Sequence, residues 1–392
     1  MYHSALSFGN GWRLANRDVN LETNVSSDGF RVGTRLYLTL PTGERVGYTF
    51  APVQQTVNGV NFYTPAFVPD ASAISHTLQA LETKLTKAGD HFFDLLTGDA
   101  SNPADPALTD AQFRLTAPDG TIYKVHAANG ITEQQFTDGK KFILSDSGIT
   151  AVGTGETIQF IWNSSPLTPY ASRLTSVTGP DGHRVVYSYD QLGNLVSARD
   201  LLTGDTARYG YDAQHRITLL TRTGQSGQVI QYPATPGTPS TPQMSPVKAD
   251  LGAALTYLAT PFTSTLTAGA TDQLVFSVRP SEIISTNSTD VYVGVIIEAN
   301  GSSVFPGLPT IDGLTALVSN VTGNKSFGLF RIEKEGLQLL KITGANGTTA
   351  GAYSVKLFIA GDANRDTKVD ETDSLLIEAA IGTTAGAIGY TH

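Results

Sequence analysis

"RLTSVTGPDGHRVVYSYD", residues 173–190, and "NLVSARDLLTGDTARYGYD", residues 194–212, decide the fold. Each is a strand, a turn and a strand. Tyr187 and Tyr189 return as Tyr209 and Tyr211, and Asp190 returns as Asp212, after 22 residues. A third, degenerate unit, "RITLLTRTGQSGQVIQYP" (216–233), keeps only Tyr232. Self-similarity at a fixed period marks a repeat array. One hairpin cannot bury its apolar face alone, so the units must stack. The tyrosines are then expected to pack as ladders between hairpins. The competing use for them is a sugar-stacking surface.

Upstream the same device recurs. "LYLTLPTGERVGYTF" (36–50), "FRLTAPDGTIYKV" (113–125) and "LTSVTGPDGHRVVYSY" (174–189) each place Pro-x-Gly between alternating runs. Proline presets φ at the turn and glycine supplies positive φ, which predicts hairpins. "FTDGKKFILSDSGI" (136–149) predicts a fourth, and "GQSG" (224–227) a hairpin tip. Ile74, Leu78, Leu81 and Leu85 follow helical spacing, which predicts an insertion with helix over 73–84. "LTKAGDHFFDLLTG" directly after it reads as strand, turn, strand.

These residues resemble the RHS/YD-repeat family, whose signature is Tyr-x-Tyr-Asp, a short glycine-containing turn and an apolar strand. "YSYDQLGNL" and "YGYDAQHRI" match it, the second with His215 where the family has glycine. "FGNGWRL" and "LTLPTGERVGYTF" look like the stretch that precedes such repeats. The resemblance covers roughly 1–232. It implies a spiralling β-shell of the kind found in large secreted or surface proteins, toxin carriers and teneurin-like adhesion proteins among them. Two good repeats and one poor one are too few to close a shell around a toxin.

Proline stands at 233, 236, 239, 242 and 246. The three-residue period matches polyproline II, so 233–246 reads as a semi-rigid spacer. Beyond it, "DQLVFSVRP", "DVYVGVIIEANG", "SFGLFRIEKEGLQLLKITG" and "AYSVKLFIA" alternate between turn signals, which predicts a β-sandwich over 247–360. The expected fold is mainly β: a stacked-hairpin domain (1–232), the spacer, the sandwich, and a short loop-helix (361–392).

That last piece holds "GDANRDTKVDETD", residues 361–373, with five acids in thirteen residues. Crowded like charge is either a solvated turn or a cation cage. With Asp362 as position 1, Asn364, Asp366, Lys368, Asp370 and Asp373 fall at 3, 5, 7, 9 and 12. That is the oxygen spacing of an EF-hand-type calcium loop, with Lys368 offering its backbone carbonyl. A hard cation would relieve the repulsion, so Ca²⁺ is the expected cofactor. "ETDSLLIEAAIG" (371–382) follows as a helix, with Leu375, Leu376, Ala379 and Ala380 on one side. The pattern resembles a type I dockerin repeat. It departs at position 6, where Thr367 replaces glycine, and at position 4, which is Arg365; a β-branched residue resists positive φ, so affinity should suffer. The resemblance implies that Glu371 and Thr372 contact a cohesin-like partner. A dockerin has two such repeats, and only one is present before "GAIGYTH", so the chain is expected to be a fragment.

Composition bounds the rest. Of 392 residues 40% are hydrophobic and only 16% charged, below the roughly 25% usual in soluble domains. A net charge of −9 leaves no basic patch for phosphates, which argues against nucleic acid. Cysteine is absent, so neither disulfide nor thiolate chemistry is available. No apolar run reaches the length of a transmembrane helix. "MYHSALSFGNGWRLANRD" is not a signal peptide, so the chain is expected to be cytosolic or part of something longer. His3, His76, His91, His126, His183, His215 and His392 show no metalloprotease spacing, and no Walker loop or nucleophile elbow is present. "GTGET" (153–157) reads as a turn. His126, His183 and His215 are expected to be satisfied surface residues. Carboxylate pairs for glycoside hydrolysis lie far apart in sequence and stay open.

The reading is a non-enzymatic segment of an exported bacterial protein, extracellular or on the cell surface, with a structural or adhesive role and a cohesin-like protein or a glycan as partner. Its alternatives are a dockerin-bearing accessory of a polysaccharide-degrading system and part of a toxin carrier.

Overall fold

The computed structural model describes residues 7–14, 19, 21–25, 29–72, 74–81, 84–102, 112–127, 129–163, 173–232, 242–278, 290–301 and 305–382. The protein is mainly β, built of largely antiparallel sheets in which Ala249–Ala253 pairs parallel with Thr271–Val278, with α-helices at Ala254–Ala259 and Glu371–Ala380. It forms two units, Met1–Val186 and Tyr187–His392. The division falls inside the strand Arg184–Tyr189.

In the first unit, one four-stranded sheet runs in the order Leu21–Thr23, Arg35–Thr39, Arg45–Phe50, Phe67–Pro69. A second runs Val53–Val57, Val60–Thr64, Leu85–Ala88, His91–Asp94. A longer ladder then adds strands in chain order from Phe113–Thr116 to Leu174–Thr178. The core is aromatic. Phe30, Phe50, Phe92 and Phe113 are fully buried, and Phe50 meets Phe30 and Phe92 edge-on at 5.4 and 5.5 Å. Edge-to-face contact lets the positive ring rim meet a negative face.

The hairpins expected at 36–50, 113–125 and 174–189 are present. Their turns share one geometry. Gly43, Gly120 and Gly182 lie at φ 96°, 85° and 82°, and each donates its N–H to the residue three before it. Gly139, at φ 86°, closes the same turn on Phe136. It leads into the fourth hairpin, Lys141–Ser145 with Gly148–Ala151.

Three expectations fail. Thr77–Ala80 is a strand and not part of a helix, paired antiparallel with Phe113–Thr116, Leu78 opposite Leu115. Leu78 is buried while Thr77 and Gln79 are exposed, an alternation the period-2 pairing imposes. Leu85, counted in the helical stripe, opens a strand in a different sheet. Tertiary pairing has overridden a local periodicity. His126 is buried rather than on the surface; it ends an inward-facing strand and accepts the Asn129 N–H at Nδ1, 3.0 Å. The hairpin tip expected at 224–227 sits earlier, because Gln225 already opens a strand.

In the second unit the repeat strands Leu195–Asp200, Thr206–Tyr211, Ile217–Arg222 and Gln225–Gln231 lie side by side, antiparallel, in chain order. Gln243–Pro246, the last residues of the predicted spacer, form one more strand on Gln225–Gln231. The rest of the spacer, 233–241, lies outside the described residues.

The sandwich has a four-stranded sheet in the order Ala249–Ala253, Thr271–Val278, Gly336–Thr343, Thr310–Ile311. Against it stands a five-stranded sheet, Phe262–Leu266, Gly351–Ile359, Val291–Ala299, Lys325–Ile332, Val318–Thr322. Phe276, Phe305, Phe330 and Tyr353 fill the layer between them. A buried polar link joins the sheets: Tyr353 donates to Asp272 Oδ2 at 2.7 Å, and Lys248 reaches the same oxygen at 2.5 Å.

The sandwich also covers the repeats. Leu219 and Val229 from the repeat strands share a buried cluster with Val247, Val275, Leu337 and Leu339. Arg208 pairs with Asp250 and donates to Ser277 Oγ at 2.7 Å. Two glycines permit the contact. A Cβ on Gly210 would stand 2.9 Å from the Leu337 carbonyl oxygen, and one on Gly336 would stand 3.1 Å from that of Tyr209.

Candidate calcium loop and repeat turns

The loop after the sandwich is positioned by its last strand. Asp362 donates its N–H to the Ile359 carbonyl, and Val369 packs against the sandwich core. From there the chain turns twice through left-handed backbone, at Arg365 (φ 62°) and Thr367 (φ 75°). The sharp turn that ordinarily takes glycine is thus made with a β-branched residue, at a cost of about 1–2 kcal/mol.

Side chains of the expected positions hold that turn. Asp362 accepts the N–H groups of Asp366 (Oδ1, 3.1 Å) and Thr367 (Oδ2, 3.0 Å). Asn364 Oδ1 accepts from Asp366 N–H at 2.8 Å, and Asp366 Oδ1 from Lys368 N–H at 2.9 Å. Asp370 caps the helix Glu371–Ala380 by accepting the Thr372 N–H at 2.9 Å. Asp373 closes the loop on itself. It is 1% exposed and accepts from Ala363, Asn364 and Asp370 at 2.8, 3.1 and 2.9 Å. Glu371 and Thr372 are exposed in the first helical turn.

The electrostatics of the two end positions differ. Burial, and next the Asp373 charge among the raising effects, hold the Asp362 carboxyl above its ordinary value against the Thr367 N–H and other backbone donors. Burial would raise Asp373 as well, but donors from Asp370, Asn364 and Ala363 outweigh it and hold that carboxyl low. Among the described residues no three His, Asp or Glu side chains converge as around a metal; the loop acids face backbone N–H groups instead. The donor set is all oxygen, the type a hard cation takes, but Asp373 Oδ1 already accepts from both Ala363 and Asn364. Asp362 is partly desolvated and its carboxyl is raised even though backbone N–H groups bond it. Asp362, Asn364, Asp366, the Lys368 carbonyl, Asp370 and Asp373 thus share the donor type of a hard-cation site without converging on one point in this structure.

The repeat signature has a clear local role. Asp190 accepts from Asn194 through its backbone N–H and its side-chain amide, both at 2.8 Å. Asp212 accepts from Arg216 N–H at 2.9 Å and from Arg216 Nε at 2.8 Å. Both close the turn type described above, Gly193 (φ 88°) on Asp190 and His215 (φ 61°) on Asp212. His215 occupies the left-handed position without glycine's freedom, and its Nδ1 lies 2.7 Å from Asn194 Oδ1 of the preceding turn. Tyr211 donates to the Leu195 carbonyl at 2.7 Å. Burial raises both Tyr187 and Tyr209, and the Tyr209 charge adds to the rise at Tyr187. Tyr187, Tyr189, Tyr209 and Tyr211 are partly buried.

Two residues of this region escaped the sequence. Asn194 sits four after the signature Asp190, and that spacing was a usable signal. Glu335 was not legible, because its partner in space, Asp190, is remote in the chain.

Residues 171–201 match the RHS repeat family. No curated protein matches the chain. The pre-peptidase C-terminal domain of collagenase from Bacillus anthracis, known from a crystal structure, is similar at a TM-score of 0.22 and 17% identity, over 29% of this chain and 98% of that domain. So slight a likeness bears no weight. No helix among the described residues is long and apolar enough to cross a membrane.

Proposed function

We propose that this chain is a non-enzymatic structural segment of a secreted or cell-surface bacterial protein, with calcium setting its loop 362–373. The observation that carries the reading is the loop itself. Its acids stand at calcium-loop spacing, its backbone turns sharply through Thr367, and Asp370 starts a helix at Glu371. The RHS repeat match supports a surface or toxin-associated setting. Resemblance to a dockerin repeat extends the reading to an adhesive role, in which exposed Glu371 and Thr372 meet a cohesin-like protein. The same match favours a second reading, part of a toxin carrier, with the repeats as one stretch of a larger shell.

Hydrogen exchange on the whole chain tests the calcium part. Millimolar calcium should slow exchange within 361–380 and leave the sandwich and repeat strands unchanged. Equal exchange with and without calcium would leave only a solvated acidic turn.

A further inference from the structure

The sandwich turn Glu333–Gly336 meets the repeat turn Asp190–Leu192. Between them is a cavity of about 320 Å³ lined by Asp190, Gln191, Leu192, Glu333 and Lys334. The approach has no slack: a Cβ on Gly336 would lie 2.9 Å from Val196 Cγ1. Glu335 stands at this junction, partly buried, and has no ion pair among the described residues. We propose that this junction is a pH-sensitive latch, closed while Glu335 carries a proton and loosened once Glu335 ionises opposite Asp190.

The surrounding charges leave Glu335 without relief. Glu333, on the same turn, is engaged by Arg331 at 3.1 Å. Lys334 is exposed on the cavity rim. From the repeat strands, Arg208 is held by Asp250 and Ser277, and Tyr211 by the Leu195 carbonyl. Arg222 acts on Tyr209, while Arg199 and Asp200 belong to the strand Leu195–Asp200. From the sandwich strands that flank Gly336–Thr343, Asp272 is bound by Lys248 and Asp312 by Lys341. Asp190 is the charge that reaches Glu335.

Burial first, and Asp190 second, push the Glu335 carboxyl up to about 7 from an ordinary 4.5. The folded chain then holds an extra proton between those values. Stability falls as pH rises through that window, and the loss is complete above it.

Denaturant unfolding of the full chain from about pH 4 to 8.5, for wild type and Glu335→Gln, reads the effect. The stability gap between the two should be smallest in acid and widen in favour of Gln to a plateau above neutrality. A gap that stays constant across the range overturns the latch. Should the Gln variant fold poorly, the ¹³C shift of the Glu335 carboxyl in wild type decides. It should titrate near neutrality, and lower in Asp190→Asn. Titration at an ordinary glutamate value in wild type, or an unmoved midpoint in Asp190→Asn, also overturns it.

Discussion

At the scale of single residues, one turn is used again and again, and His215 is its test. Gly43, Gly120, Gly139, Gly182 and Gly193 take positive φ at no steric cost; His215 does so at φ 61° with a Cβ to accommodate. The strain, about 1–2 kcal/mol, is offset by the contact to Asn194, worth about 1 kcal/mol. His215→Gly removes both and should leave stability near wild type. His215→Ala keeps the strain and loses the contact, and should cost about 1 kcal/mol in chemical denaturation. An alanine variant as stable as wild type would show that the Asn194 contact contributes nothing. Asp212 gives a pH prediction at the same scale. Burial would raise it, but the Arg216 N–H, the Arg216 side chain and Gln214 hold it below its ordinary value. A depressed carboxyl contributes stability above its unfolded value of about 4, and that contribution is lost as pH falls through the folded one. Asp212→Asn should therefore flatten the acid limb of the stability profile, read by unfolding at low pH.

Among elements, the strand Gly336–Thr343 matters most, because it serves the sandwich and covers the repeats. Gly336→Ala would press a methyl group into Val196 and the Tyr209 carbonyl at φ 102°. Overpacking of this kind costs about 1–3 kcal/mol. Hydrogen exchange should speed up in both Leu195–Tyr211 and Gly336–Thr343, whereas a purely local effect would touch only the second. The same covering predicts that a protease site engineered at 238 can be cut without separating the repeats from the sandwich on a sizing column. Separation would mean that the Leu219 and Leu337 cluster does not hold them. Much of the element pattern was legible in sequence. Pro-x-Gly and Tyr-x-Tyr-Asp turns are local chemistry, and alternation marks the strands on either side. The covering of the repeats was not, since no local signal ties Gly336 to Tyr209. Ile74, Leu78 and Leu81 misled for a related reason: a helical spacing is short-range, and the partner strand that claims Leu78 begins at Phe113. In the loop, spacing named the acids, while the turn of Asp373 inward onto three N–H groups appears only in the fold.

For the molecule as a whole, the second unit joins repeats, sandwich and acidic loop, and the loop carries the functional claim. The measurement that tests it most directly is calcium titration by calorimetry on the full chain. Binding is expected at about 10⁻⁴–10⁻³ M, the range of extracellular modules. It should weaken as pH falls through the raised value of Asp362, since protons compete for that carboxylate. Asp362→Ala and Asp366→Ala should abolish the heat. Thr367→Gly should tighten binding, because glycine lowers the cost of ordering the turn at φ 75°. A wild-type chain that gives no heat with millimolar calcium, or alanine variants that bind as wild type does, would contradict the account.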